Sequence, residues 1–360
     1  MNRAATTLLR VSFSILSACL IAEEAGAQLS PTKLYFGIGR PIAMDVALPP
    51  GTSGEARIAL YVPGGEDAAF TAPVAPGAAD LASLFPNLWK PGVGKDAATP
   101  PALPRLYYAQ LEVGERKIGA PVVLQPMLNP GIFMLYSFDV EKPYFVDPKS
   151  QKPSIEPKQG RIMHTPDSPV YSGLCAYVEQ HAVFETSLGA IEFRMRPDAA
   201  PNTVRNFVQL VEGGFYDDII FHRVVPRSPA GLPFVIQVGA PTGTGSGGPG
   251  YSVDFELSSL PHDFGVLSMA RDADPNTNGS QVFVCLSREG TAALDGKYVS
   301  FGEAVSGADV ILAIGATPVK GDRPVDPPVL KHVKLVPAPP FGMGPQPLKR
   351  PLAKDVPSGR

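Results

Sequence analysis

A chain of 360 residues is too long for one hydrophobic core, since single cores stop growing at about 250–300 residues, and its 44% of apolar residues can fill two. The 41 prolines and 36 glycines limit helix and predict a mainly β protein. A formal net charge of −3 with 18% charged residues leaves no basic stripe to neutralise a phosphate backbone, so nucleic acid is excluded as the expected partner and a protein or peptide is favoured.

The chain opens with a charged n-region around Arg3, an apolar run of about 12 residues over 11–22, and Ala25-Gly26-Ala27, the pattern of a secretory signal cleaved after Ala27. The expected location is therefore periplasmic or extracellular. Leu16-Ser17-Ala18-Cys19 also resembles a lipobox, which leaves lipidation at Cys19 as the alternative. No later segment reaches the roughly 20 apolar residues of a membrane span. Residues 28–142 alternate short β-like runs (33–36, 42–48, 56–62, 106–113) with Pro/Gly turns, which predicts a sandwich-like domain of unknown role. Only 80–85 suggests a helical turn, stopped by Pro86. Residues 143–170, rich in Pro, Lys, Ser and Asp, read as a linker, and 337–360, rich in Pro, Gly and Lys, as a disordered tail.

Between them, 171–336 carries the sharper pattern. Residues 182–186 and 190–195 alternate as a hairpin around Ser187-Leu188-Gly189. A helix over Pro201–Glu212 follows, with Pro201 in its first turn, Val204, Phe207, Val208 and Val211 on one face, and Gly213 at its end. The glycines of Gly243-x-Gly245-x-x-Gly248 match a dinucleotide fingerprint but run into Pro249 instead of a helix, so they read as a loop. The five histidines show neither H-E-x-x-H spacing nor a serine–histidine–aspartate pattern, and after cleavage Cys175 and Cys285 lack metal-ligand spacing. No metal and no cofactor are expected, and Cys285, in an apolar run, reads as a buried thiol.

Five ordered blocks then appear: Phe221-His222-Arg223-Val224-Val225-Pro226; Phe234 to Gly239 with the glycine loop; Gly265-Val266-Leu267-Ser268-Met269-Ala270; Asn278-Gly279-Ser280-Gln281-Val282-Phe283; and Leu294-Asp295-Gly296-Lys297 through Phe301-Gly302. Together they resemble the cyclophilin-type peptidyl-prolyl cis-trans isomerases over about 182–336. The resemblance implies an eight-stranded antiparallel β-barrel capped by two helices, Pro201–Glu212 and 308–314. It implies as partners proline-containing peptides and unfolded or exported proteins. It also implies Arg223 as the catalytic residue. Phe234, Val235, Phe283, Leu294 and Tyr298 would line a proline pocket, Gln237 would bind the substrate backbone, and the Ala270-Arg271 main chain would pair with the peptide.

The chemistry needs no covalent step. Twisting an X-Pro amide sacrifices resonance across a barrier of about 18–20 kcal/mol, and the twisted prolyl nitrogen regains a lone pair that a fixed, permanently charged guanidinium can bond. This sequence departs from the family pattern at Val235, Val238, Ala240, Val282, Ala293 and Tyr298 and in extra residues within 227–233, which bears on substrate preference and cyclosporin sensitivity. The alternative function is a catalytically weak cyclophilin-like binding module serving an envelope scaffold or adhesion role of the N-terminal domain.

Overall fold

The computed structural model describes residues 28–51, 54–89, 105–136 and 160–350. The N-terminal elements are β1 (Gln28–Pro31), β2 (Tyr35–Gly37), β3 (Ala43–Ala47), β4 (Ala56–Tyr61), β5 (Phe70–Pro73), β6 (Gly77–Asp80), the one-turn helix α1 (Leu81–Leu84), β7 (Tyr107–Val113), β8 (Arg116–Tyr136) and β9 (Gly160–Val178). They form a sheet β1-β3-β6 and a sheet β2-β9-β8-β7-β4-β5, antiparallel throughout. One core joins them: Leu29, Met44 and Val46 of the smaller sheet meet Ile58, Leu60, Leu111, Leu124 and Leu174 of the larger. That is the sandwich that the alternating runs predict. Asp80 caps α1 by accepting from the Ala82 amide, and Trp89 sits in the core, edge-on to Phe85 and Tyr107.

Two expected boundaries need correction. Part of the predicted linker, residues 160–170, belongs to β9 and pairs with β8, while 137–159 lie outside the described residues. Proline content misleads here for a local reason. Pro166 and Pro169 fall between the paired residues Thr165 and Val170, where the register shifts, so their missing N–H groups break no ladder bond. Residues 171–178 complete the N-terminal sheet, so the second unit starts at Gln180 instead of 171. The expected disorder of 337–360 also fails for 337–350, Pro337 being the last residue of β20. There the Ala338 amide donates to Glu179 O and the Leu348 amide to Ala304 O.

The second unit comprises β10 (Gln180–Thr186), β11 (Gly189–Met195), α2 (Pro201–Glu212), β12 (Ile219–Ile220), β13 (Arg223–Val225), β14 (Val235–Val238), β15 (Val266–Met269), β16 (Val282–Cys285), α3 (Arg288–Thr291), β17 (Ser300–Ser306), α4 (Ala308–Gly315), β18 (Val319–Lys320), β19 (Arg323–Pro324) and β20 (Val329–Pro337). The main sheet runs β12-β20-β10-β11-β17-β15-β16-β14-β13. Its two edge strands are joined by Phe221-His222 alone, so the sheet must curl until they meet end to end. Taken as one interrupted strand, they make the eight expected.

The curl encloses Phe184, Phe193, Phe207, Phe221 and Phe301, all fully buried. Helix α2 closes one end through Val204, Phe207, Val208 and Val211, and α4 closes another side through Val310, Ile311 and Ile314. Ala200, before α2, has no capping side chain. The Glu256 carboxylate takes over by accepting from the Asn202 and Thr203 amides at 3.0 and 2.7 Å. At the other end Gly213 keeps φ −82°, and the left-handed residue is Gly214 at +71°. Cys175 and Cys285 are free, buried thiols, one in each half.

Candidate active site

Strand register writes the site. Arg223 on β13 pairs with Gln237 on β14, Gln237 with Phe283 on β16, and Phe283 with Ser268 on β15. Directly opposed residues share a face, so these four form one row, while their neighbours Val224, Ile236 and Val284 turn into the barrel interior. On the row's face a second, smaller apolar cluster gathers Val225, Val235, Val266, Phe283 and Cys285, with Phe234, Ala270, Leu294 and Tyr298 packed against it. Gly239 ends β14 at φ +101°, a left-handed conformation, and a Cβ there would collide with Ser280 O, so only glycine lets the two strands approach this closely.

An open cavity of about 280 Å³ lies over this face, lined by Arg223, Phe234, Val235, Gln237, Ala270, Arg271, Phe283, Leu294 and Tyr298. All nine residues singled out from the sequence therefore meet at one place. Phe283 forms the floor, with the Tyr298 ring edge-on at 5.8 Å. The Arg271 guanidinium lies over the Tyr298 ring at 4.6 Å and donates to Lys297 O, Asp272 O and Ala273 O, which fixes that wall. The Ala270 amide already donates to Gln281 O, so within the expected main-chain segment that donor is taken. A second cavity of about 600 Å³ shares Gln237, Ala270 and Arg271 and continues beneath the glycine loop 245–250.

Arg223 is held from two sides. Its Nε donates to Asp322 Oδ2 at 3.1 Å, Nη2 forms an ion pair with the same oxygen at 3.0 Å, and Nη1 donates to Gln237 Oε1 at 3.3 Å. Gln237 Nε2 donates in turn to Gln281 Oε1, and Gln281 Nε2 to Gly245 O and Gly247 O. Gln281 and Asp322 were missed by the sequence reading. Gln281 was findable, because it precedes Phe283 by two residues at the start of a strand and so shares its face. Asp322 arrives from the remote β18–β19 turn and carries no local signal. Because the Arg223–Asp322 pair is exposed on both sides, 40% and 53%, and such pairs are worth about 0–1 kcal/mol, Asp322→Asn should shift stability by less than about 1 kcal/mol in a denaturant titration. A larger loss would show that this ion pair holds the β18–β19 turn against the sheet.

A further correction concerns Ser268, His262 and Asp295. The sequence reading finds no serine–histidine–aspartate pattern, yet His262 Nε2 lies 2.9 Å from Ser268 Oγ and Nδ1 lies 3.0 Å from Asp295 Oδ1. The three come from separate segments, so spacing could not reveal them. Ser268 is fully buried beside Phe283 in the row, and the imidazole stacks on that ring at 6.0 Å, so the array acts as a polar strut behind the pocket floor. Arg288 beside Asp295 holds that carboxyl below its usual range.

Burial holds the imidazoles of His222 and His262 below the ordinary value of 6.5. For His222 the next causes are Arg223 and Arg323, and for His262 the Asp295 carboxylate opposes the shift while Arg288 adds to it. The unfolded chain therefore takes up protons that the folded chain refuses. Stability contributed by the neutral rings is complete above the unfolded value and falls as pH drops below about 6.5. Melting curves from about pH 7 to 5 should show an acid-side fall with a shallower slope in His262→Asn; identical slopes would contradict this.

A family model described as cyclophilin type peptidyl-prolyl cis-trans isomerase/CLD matches residues 181–335. A peptidyl-prolyl cis-trans isomerase of Synechococcus elongatus is 47% identical over 122 residues, 34% of this chain and 78% of that protein. A peptidyl-prolyl cis-trans isomerase-like 1 of Aspergillus fumigatus is 42% identical over 160 residues, 43% of this chain and 94% of that protein. Among solved structures, a cyclophilin type isomerase of Cryptosporidium parvum is 33% identical with a TM-score of 0.41, covering 45% of this chain and 99% of its own.

Proposed function

The chain belongs to the cyclophilin-type peptidyl-prolyl cis-trans isomerases and carries their activity, the rotation of X-Pro peptide bonds; from that premise we propose that Arg223 performs the catalysis and that the substrates are exported proteins. The observation that carries the reading is the cross-strand row Arg223–Gln237–Phe283 beside the open cavity. Phe283 and the walls from Phe234, Val235, Leu294 and Tyr298 receive the prolyl ring. Gln237 orients the substrate backbone, the 270–271 main chain pairs with the flanking residues, and the adjoining larger cavity accepts the chain beyond them.

The Arg223 guanidinium, held by Gln237, then donates to the prolyl nitrogen as it becomes pyramidal. This contact strengthens only as the amide twists, so it lowers the barrier without tightening either planar ground state. A protease-coupled assay of the full chain on a proline peptide tests the reading. Acceleration above the uncatalysed rate supports it, and peptide binding without acceleration would leave a binding module.

Export rests on the n-region, apolar run and Ala25-Gly26-Ala27 of the first 27 residues, which lie outside the described residues. Gln28 already sits in β1, with its side chain bonded to both main-chain groups of Ala120. Mass spectrometry of the mature protein should find Gln28 first. A diacylglyceryl Cys19 would overturn this and make the protein membrane-anchored.

A further inference from the structure

Every residue of β7 is buried, on both faces, although its sequence Tyr-Tyr-Ala-Gln-Leu-Glu-Val alternates as if one face met water. Tyr107, Ala109 and Leu111 fill the sandwich core. The other face carries Tyr108, Gln110 and Glu112, 5%, 0% and 4% exposed, and something must cover it. The cover is the chain's own segment after β20.

Phe341 inserts its ring there, 4.6 Å from the Tyr61 ring at 25° and 5.1 Å from the Tyr108 ring. Tyr61 and Tyr108 are register partners on β4 and β7, and their hydroxyls are anchored, Tyr61 donating to Glu112 at 2.5 Å and Tyr108 to Asp198 at 3.4 Å. The Phe341 main chain is read as well. Gln110 Nε2 is engaged by Leu111 O, Ile118 O and Gly119 O, which turns its Oε1 toward the Phe341 amide at 2.9 Å. Lys117 Nζ donates to Phe341 O at 2.9 Å while lying 4.3 Å from the Tyr61 ring centroid. Pro339 and Pro340 precede the ring, so the segment arrives already restricted and loses little entropy on docking. Past Phe341 the chain turns at Gly342, φ +76°, and Leu348 returns to the barrel, its amide on Ala304 O and its side chain against the barrel core.

We propose that Tyr61, Tyr108, Gln110 and Lys117 form a pocket that reads an aromatic residue following prolines, and that its occupant is this chain's own 338–348 segment, acting in cis as a clasp between the isomerase barrel and the N-terminal sheet. A pocket that contacts ring, amide and carbonyl of one residue is a recognition site of the kind that docks proline-rich segments on aromatic grooves. Because the segment leaves from β20 and returns to β17, it couples the two halves wherever it is engaged.

The test compares full-length wild type with Phe341→Ala by calorimetry, by tryptic cleavage after Lys349 and by sedimentation. Wild type should be a monomer with a single endotherm. Phe341→Ala should show two, and its cleavage at Lys349 should be at least about tenfold faster, as local release predicts. Isomerase activity should not change. A synthetic peptide of residues 338–348 should restore the single endotherm in the variant, and the same peptide with alanine at the Phe341 position should not. Should Phe341→Ala not fold, Lys117→Met, which keeps the ring pocket, should shift both readouts in the same direction by less. An unchanged endotherm and cleavage rate in a folded variant would overturn the clasp. So would a wild-type dimer that Phe341→Ala dissociates, since the tail would then belong to a second copy.

Discussion

Arg223→Ala should lower kcat/KM on a proline peptide by about 10²–10³, or roughly 3–4 kcal/mol of transition-state stabilisation, the usual loss when one oriented donor is removed. The fall should appear in kcat, with KM close to wild type. The prolyl ring is received by Phe283 and its neighbours, whereas the guanidinium gains a partner only as the nitrogen becomes pyramidal. Stability should move by less than about 1 kcal/mol, because the side chain lies on the cleft wall, 40% exposed, and its ion pair with Asp322 is solvated. Steady-state kinetics beside a melting curve checks both halves. A normal kcat/KM in a folded variant would remove Arg223 from the mechanism.

Phe283→Ala should damage both stability and catalysis. The ring is 5% exposed, stacked on His262, edge-on to Tyr298 and packed among Val235, Val266 and Cys285. Deleting it removes the pocket floor and opens a void that the strut of His262, Ser268 and Asp295 cannot collapse into, at a cost of about 3–5 kcal/mol. KM should rise, since ring packing is used in the planar and twisted states alike. Phe283→Leu, which keeps most of the volume, should recover most of the stability. Denaturant titration and steady-state kinetics on both variants check this. A stable Phe283→Ala protein with normal KM would mean that proline packs elsewhere.

How far the sequence could be read depended on whether the deciding contacts were local. The nine cleft residues were legible because they fall in five ordered blocks that resemble a known family, and strand pairing then sets Arg223, Gln237 and Phe283 in one row. Helix α2 was legible from the spacing of Val204, Phe207, Val208 and Val211. The sandwich was legible from turn punctuation, but not its last strand, because Pro166 and Pro169 hide in a register shift. Contacts closed over long sequence separations stayed invisible: Asp322 on Arg223, Ser268 and Asp295 on His262, and Phe341 on Tyr61. A proline-rich tail has the composition of a disordered segment, and only the buried outer face of β7 reveals what it covers.

The central claim is that Arg223 acts on the twisting amide and not on peptide capture. Exchange NMR of a proline peptide, titrated with catalytic amounts of wild type and then of Arg223→Ala, measures the two separately. The account predicts that both proteins bind the peptide with similar affinity and that only wild type produces rapid cis–trans exchange. Equal exchange rates from the two proteins at equal occupancy would contradict it.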